Sequence, residues 1–131
     1  MEKFKILLVD DEEEFVKPLA ERLKIRELEP DIVYNGEQAL FFVQAQEPDV
    51  MVLDLRMPGI CGMEVLSRVR KKHPAIQVII LTGHGTKHHE DQARRLGAFD
   101  YLEKPVDIDK LVKKMKQAYK HKLQNSSEHD P

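Results

Sequence analysis

The sequence predicts an α/β fold in which a doubly wound, five-stranded parallel sheet carries helices on both faces. Five short apolar runs, Ile6 to Val9, Ile32 to Tyr34, Val50 to Leu53, Val78 to Leu81 and Phe99 to Leu102, alternate with segments of helical spacing. Three of the runs are unbroken rather than alternating, as strands buried on both faces read. A parallel crossover needs a helix-length connection and turns right-handed, so this alternation leaves few other arrangements.

Each element has its own local reason. After the first run, Phe15, Val16, Leu19 and Leu23 share one helical face, and Pro18 falls near the first turn, where it costs less than at mid-helix but can bend the helix. Asn35-Gly36 is a turn dipeptide opening the second helix, whose inward face is Ala39, Leu40 and Val43, with Pro48 just beyond. Val65, Leu66 and Val69 mark the third helix, with Pro74 after it. Ala93 and Leu96 mark the fourth, with Gly97 as its left-handed terminating residue. Ile108, Leu111, Val112, Met115 and Tyr119 give the fifth its stripe. Residues 1–123 then form one domain, and residues 124–131, without strong apolar patterning, read as a disordered tail or the start of a linker.

Composition narrows the function. The 131 residues suit a single domain, and 21 Lys+Arg against 23 Asp+Glu leave a net charge of -2, which lacks the basic footprint of a nucleic-acid binder. Direct nucleic-acid binding by this chain is therefore not expected. Cys61, the single cysteine, excludes an internal disulfide and a cysteine-based zinc site, and fits a reducing cytoplasm. Ile6 to Val9 is too short for a secretory or membrane-spanning segment, so no membrane association is expected.

The chemistry lies at the carboxyl ends of the strands. Asp10 and Asp11 follow the first run, Asp54 the third, Thr82 the fourth and Lys104 the fifth, and ligands of open parallel sheets bind at that edge. Gathered carboxylates repel one another, so a cation is implied, and an all-oxygen ligand set suits a hard divalent ion such as Mg2+ with phosphate oxygens as co-ligands. Lys104 supplies positive charge for a phosphoryl group, the Thr82 hydroxyl a hydrogen bond, and Asp54 is the candidate nucleophile.

Four segments carry a resemblance: Ile6-Leu7-Leu8-Val9-Asp10-Asp11-Glu12, the stretch from Asp49 to Gly59 around Asp54, Val78 to Gly83, and Asp100-Tyr101-Leu102-Glu103-Lys104-Pro105. In this order they resemble the receiver domain of two-component response regulators. The resemblance implies a flavodoxin-like (βα)5 fold with strand order 2-1-3-4-5. It also implies that Asp54 takes a phosphoryl group from a sensor histidine kinase or histidine phosphotransfer protein. Mg2+, or Mn2+, would be held by Asp11, Asp54 and the Arg56 carbonyl, with Asp10 acting mainly through water. Lys104 and Thr82 would bind phosphoryl oxygens, Gly83 would leave room for them, and Lys104-Pro105 matches a cis-peptide position.

By the same resemblance, Thr82 and Tyr101 form a switch that changes the face of the fourth helix, fifth strand and fifth helix. That face would contact a downstream protein or a missing output domain, or support a phosphorylation-linked homodimer. Conventional enzyme activity is not expected beyond self-phosphorylation from phosphodonors and slow autodephosphorylation. Arg56 and His84 match positions flanking the route of hydrolytic water. One rival reading is a receiver-like docking module that is never phosphorylated, which leaves the full set of Asp10, Asp11, Asp54, Thr82 and Lys104 unexplained. Another is a small hydrolase, which lacks a general acid two residues after Asp54, where Arg56 stands. His84, His88 and His89 read as loop and helix start rather than a metal site. The lysines at 110, 113, 114, 116, 120 and 122 read as a solvated face, with docking of an acidic partner as the alternative.

Overall fold

The computed structural model describes residues 3–129, with side chains through residue 125. Its elements alternate as the sequence predicts: β1 Lys5–Val9, α1 Glu13–Ile25, β2 Glu29–Val33, α2 Gly36–Ala45, β3 Val50–Leu53, α3 Gly62–Lys72, β4 Gln77–Thr82, α4 Lys87–Arg95, β5 Asp100–Glu103 and α5 Ile108–His129. The five strands form one parallel sheet in the order β2-β1-β3-β4-β5. Strand order reverses beside β1, which opens a crevice between the carboxyl ends of β1 and β3.

Alternation along β1 divides the core in two. Ile6 and Leu8 pack with Val16, Leu19 and Leu23 of α1 and Leu111, Met115 and Ala118 of α5. Leu7 and Val9 face the other way, against Ala39 and Val43 of α2, Val65, Leu66 and Val69 of α3 and Ala93 of α4. β3 and β4 are buried throughout, which is why Val50–Leu53 and the centre of β4, Val78 to Leu81, are unbroken apolar runs. Side chains such as Leu7, Met51, Leu66 and Ile79 are fully enclosed, each worth about 1.5–3 kcal/mol of burial.

Three details differ from expectation. β2 begins at Glu29 and includes Pro30 and Asp31; as the outermost strand it tolerates proline and polar residues, so only its last part reads as apolar. Pro18 sits in the second turn of α1 with its side chain exposed, and the helix continues to Ile25. Helix α5 runs past Leu123 to His129, so helical backbone occupies most of the stretch expected to be a tail; residues 130 and 131 of that stretch lie outside the described residues. Gly97 has the expected positive φ, at 102°, and the Ala98 N–H closes the end of α4 on the Ala93 carbonyl at 3.0 Å. Among the described residues no helix is long and apolar enough to cross a membrane.

Candidate functional site

The sheet ladder carries the site residues into the crevice. Each sits one step beyond its strand and is still held by a neighbouring one: Asp10 N–H donates to the Val33 carbonyl at 3.2 Å, Asp54 N–H to Val9 at 3.0 Å, and Lys104 N–H to Thr82 at 3.0 Å. Positions set by rigid elements in this way are more exact than positions on free loops. The start of α3 lies directly against the Asp54 backbone. A Cβ at Gly62 would stand 2.2 Å from the Asp54 carbonyl oxygen, so glycine is required for this approach.

Asp10 and Asp54 are buried, and Lys104 reaches both. Its Nζ lies 2.7 Å from Asp10 Oδ2, 2.7 Å from Glu12 Oε1 and 3.1 Å from Asp54 Oδ2, and 4.3 Å from the centre of the Phe15 ring. One ammonium thus serves three carboxylates, with two negative charges in surplus. Burial lowers the Lys104 pKa, but the contacts with Asp10, Glu12 and Asp54 outweigh it and hold the ammonium firmly protonated. Burial pushes the Asp10 carboxyl above its ordinary value, and Lys104 and the Glu12 N–H only partly oppose that.

Among the described residues, one group of three or more potential metal ligands occurs: Asp10, Glu12 and Asp54, with ligand atoms within 4.8 Å of one another. Its all-oxygen donors and surplus charge fit a hard divalent cation such as Mg2+. Asp11 is exposed and outside this group, whereas Glu12 lies inside it. Sequence reasoning missed Glu12 because it lies within the acidic run from Asp10 to Glu14, and which of those side chains turns inward depends on where α1 begins. Arg56 is exposed, and its N–H donates to Asp54 Oδ1 at 3.3 Å.

Thr82 is fully buried, and its hydroxyl oxygen accepts the His84 N–H at 3.3 Å. The space left by the missing side chain of Gly83 faces the Lys104 stem, 3.8 Å away. Tyr101 is turned inward under the loop between β4 and α4. A Cβ at Gly85 would fall 1.4 Å from the Tyr101 hydroxyl oxygen and 3.0 Å from Thr82 Cγ2, so the tyrosine occupies a notch that only glycine leaves open. Its hydroxyl is buried there with no hydrogen-bond partner among the described residues. The Lys104–Pro105 peptide is cis.

Among the described residues, His84, His88 and His89 are not part of the group of potential metal ligands. His89 instead closes the start of α4: its N–H donates to Thr86 Oγ1, and Thr86 N–H donates to His89 Nδ1, both at 3.2 Å. Two of the late lysines belong to the scaffold, Lys114 pairing with Asp100 at 2.9 Å and Lys122 with Asp49.

Comparison with known proteins agrees with this geometry. The family model of the response regulator receiver domain matches residues 6–116. An NtrX-like response regulator of Rickettsia typhi is 37% identical over 120 residues, covering 90% of this chain and 25% of the relative. The DNA-binding transcriptional regulator NtrC of Escherichia coli is 40% identical over 87 residues, covering 66% of this chain and 19% of the relative. This chain therefore spans about a quarter of the length, or less, of these curated relatives. Among solved structures, the signal receiver domain of a LuxO repressor protein from Vibrio parahaemolyticus superposes with a TM-score of 0.91 at 25% identity, covering 99% of this chain and 100% of that one. The receiver domain of NtrX from Brucella abortus gives 0.82 at 30% identity, covering 88% and 98%.

Proposed function

Because the chain belongs to the response regulator receiver domain family, we propose that Asp54 is its phosphoacceptor and that the crevice between β1 and β3 is the site of phosphoryl transfer. The observation that carries this reading is the sharing of one ammonium by three carboxylates at the carboxyl edge of the sheet. A charge-balanced cluster has no demand for a ligand; this one lacks positive charge.

Transfer from a phosphohistidine forms the bond between an Asp54 carboxylate oxygen and phosphorus as the phosphorus–nitrogen bond breaks, and the bonding electrons leave with the donor imidazole. The protein contributes positioning and charge. Asp54 is fixed at its backbone by Val9 and by the close approach of Gly62. The Lys104 ammonium neutralises phosphoryl oxygens, and the Thr82 hydroxyl, at the end of β4, is the hydrogen-bond donor beside them. Asp10, Asp11, Asp54 and the Arg56 carbonyl are the groups to hold Mg2+, which when bound supplies charge neutralisation for the transferred group.

The donor is a sensor histidine kinase or a histidine phosphotransfer protein. The readout passes through Thr82 and Tyr101 to the face of α4, β5 and α5, and from there to a downstream protein or a further domain. Intact-mass measurement after incubation with acetyl phosphate and Mg2+ tests the central step. One phosphoryl adduct is expected on the wild-type chain and none on Asp54→Asn. Absence of an adduct from acetyl phosphate and from any kinase makes the chain a docking module instead, and multiple turnover of an unrelated phosphate ester makes it a hydrolase.

A further inference from the structure

We infer that Glu12 is a positioning residue of the phosphoryl site, which holds the Lys104 ammonium in the resting state and thereby opposes phosphoryl binding. The inference rests on Asp54 being the phosphoacceptor and concerns a side chain to which that reading gives no part. Lys104 has three protons to donate, and three carboxylates take them. The contact with Glu12, at 2.7 Å, is as short as that with the buried Asp10 and shorter than the 3.1 Å contact with Asp54. A phosphoryl group on Asp54 has to claim at least one of these protons.

The arms differ in how easily they release. The Asp10 and Asp54 side chains are 6% and 1% exposed, so either would remain buried with a charge lacking its partner. The Glu12 side chain is 53% exposed and can turn to water at little cost. Its backbone stays in place meanwhile, since the Glu12 N–H donates to Asp10 Oδ1 at 2.9 Å and its carbonyl accepts from Phe15 and Val16 at the start of α1. Glu12 also makes no side-chain cap on that helix. The exchange at Lys104 is therefore between Glu12 and the incoming phosphoryl oxygens, and the Glu12 charge repels the same oxygens from within 4.8 Å of the Asp54 carboxylate.

Beryllofluoride, which mimics a phosphoryl group on a carboxylate, gives a readout without turnover. Titrated in saturating Mg2+ and followed by amide chemical shifts, Glu12→Gln is expected to bind it about two- to fivefold more tightly than wild type, the range of a half-exposed ion pair. Affinity for Mg2+ alone should fall by no more than about fivefold, the loss of one half-exposed negative charge beside the ion. Glu14→Gln, with the same change of net charge outside the cluster, should match wild type in both titrations. Unchanged or weaker beryllofluoride binding by Glu12→Gln overturns the inference. So does an equal gain in Glu14→Gln, which makes the effect one of overall charge, or a large loss of Mg2+ affinity in Glu12→Gln, which makes Glu12 a metal ligand. If the wild-type protein fails to bind beryllofluoride, the phosphoacceptor reading falls as well.

Discussion

The two edges of the sheet treat their carboxylates in opposite ways. At the amino-terminal edge, Asp49 precedes β3 and accepts the Lys5 N–H at 2.7 Å and the Lys122 ammonium. Asp100 opens β5 and is met by Arg94 at 3.1 Å, Lys114 at 2.9 Å and the Tyr101 N–H at 2.8 Å. Each of these carboxylates has at least one cation at hand. At the carboxyl-terminal edge, Asp10, Glu12 and Asp54 divide a single lysine. Asp49 and Asp54 are the same chemical group and bracket the same four-residue strand. What separates scaffold from site is charge balance: a closed ion pair holds the sheet to α5, while the cluster at the carboxyl edge keeps a surplus of negative charge that attracts a cation.

Removing the lysine at each edge should expose this difference most strongly. Lys104→Met leaves three neighbouring carboxylates without a counter-charge and is expected to lower the unfolding free energy by about 3 kcal/mol at neutral pH. Millimolar Mg2+ should return much of that loss, since binding to the folded state alone stabilises it. Lys122→Met should cost about 1 kcal/mol, because Asp49 keeps the Lys5 N–H and lies near water, and Mg2+ should not restore it. Urea unfolding with and without Mg2+ measures both. Equal rescue of the two variants, or of neither, would erase the distinction between the edges.

This contrast was only partly legible in the sequence. The alternation of runs and stripes was sufficient for the sheet and its five helices, because β1, β3 and β4 are buried on both faces and must be apolar. It blurred at β2, where edge residues Glu29, Pro30 and Asp31 face few packing constraints. The positions of Asp10, Asp54, Thr82 and Lys104 were readable because each follows a strand, and the ladder carries their backbones to one edge. Glu12 and the notch at Gly85 were not, since both depend on how the chain turns after leaving the sheet. Periodicity carries no information about such turns. Asp49 was likewise indistinguishable from Asp54 by residue type, and became scaffold only through Lys122, 73 residues away in sequence.

A smaller effect appears in the pH dependence of stability. Burial is the largest influence on Asp10 and raises its pKa above 3.8 in the folded state, so folding binds a proton that the unfolded chain has released. Stability contributed by this group therefore falls as pH rises above 3.8 through the folded value. Burial also pushes Asp100 upward, but Lys114, the Tyr101 N–H and Arg94 together outweigh it and leave the pKa lowered. Its contribution is present above 3.8 and is lost as pH falls through the depressed folded value. Asp10→Asn should accordingly be more stable than wild type at neutral pH, with the advantage shrinking in acid. Asp100→Asn should be less stable at neutral pH, with that deficit shrinking in acid. Denaturation midpoints from neutral to acid pH distinguish the opposite slopes, and parallel profiles would contradict the assignment of one group to each kind of edge.

The smallest expected effect concerns the hydroxyl of Tyr101, which makes the carboxyl edge short of partners as well as of charge. The ring is buried against Gly85 and Thr82, and its oxygen has no hydrogen bond among the described residues, although the same residue's N–H at the amino edge is bonded to Asp100. Deleting a buried hydroxyl that lacks a partner removes a desolvation cost, so Tyr101→Phe is expected to gain up to about 1 kcal/mol in urea unfolding while the ring stays inward. Gly85→Ala should do the reverse to the ring, because its methyl would fall 1.4 Å from the oxygen and 2.7 Å from Cζ, and the whole side chain must leave. Fluorotyrosine labelling reads this directly: the Tyr101 fluorine resonance should move to a solvent-like shift in Gly85→Ala. A Tyr101→Phe variant less stable than wild type would show that the hydroxyl is satisfied after all. The inward ring would then be a settled packing element like those at the amino edge.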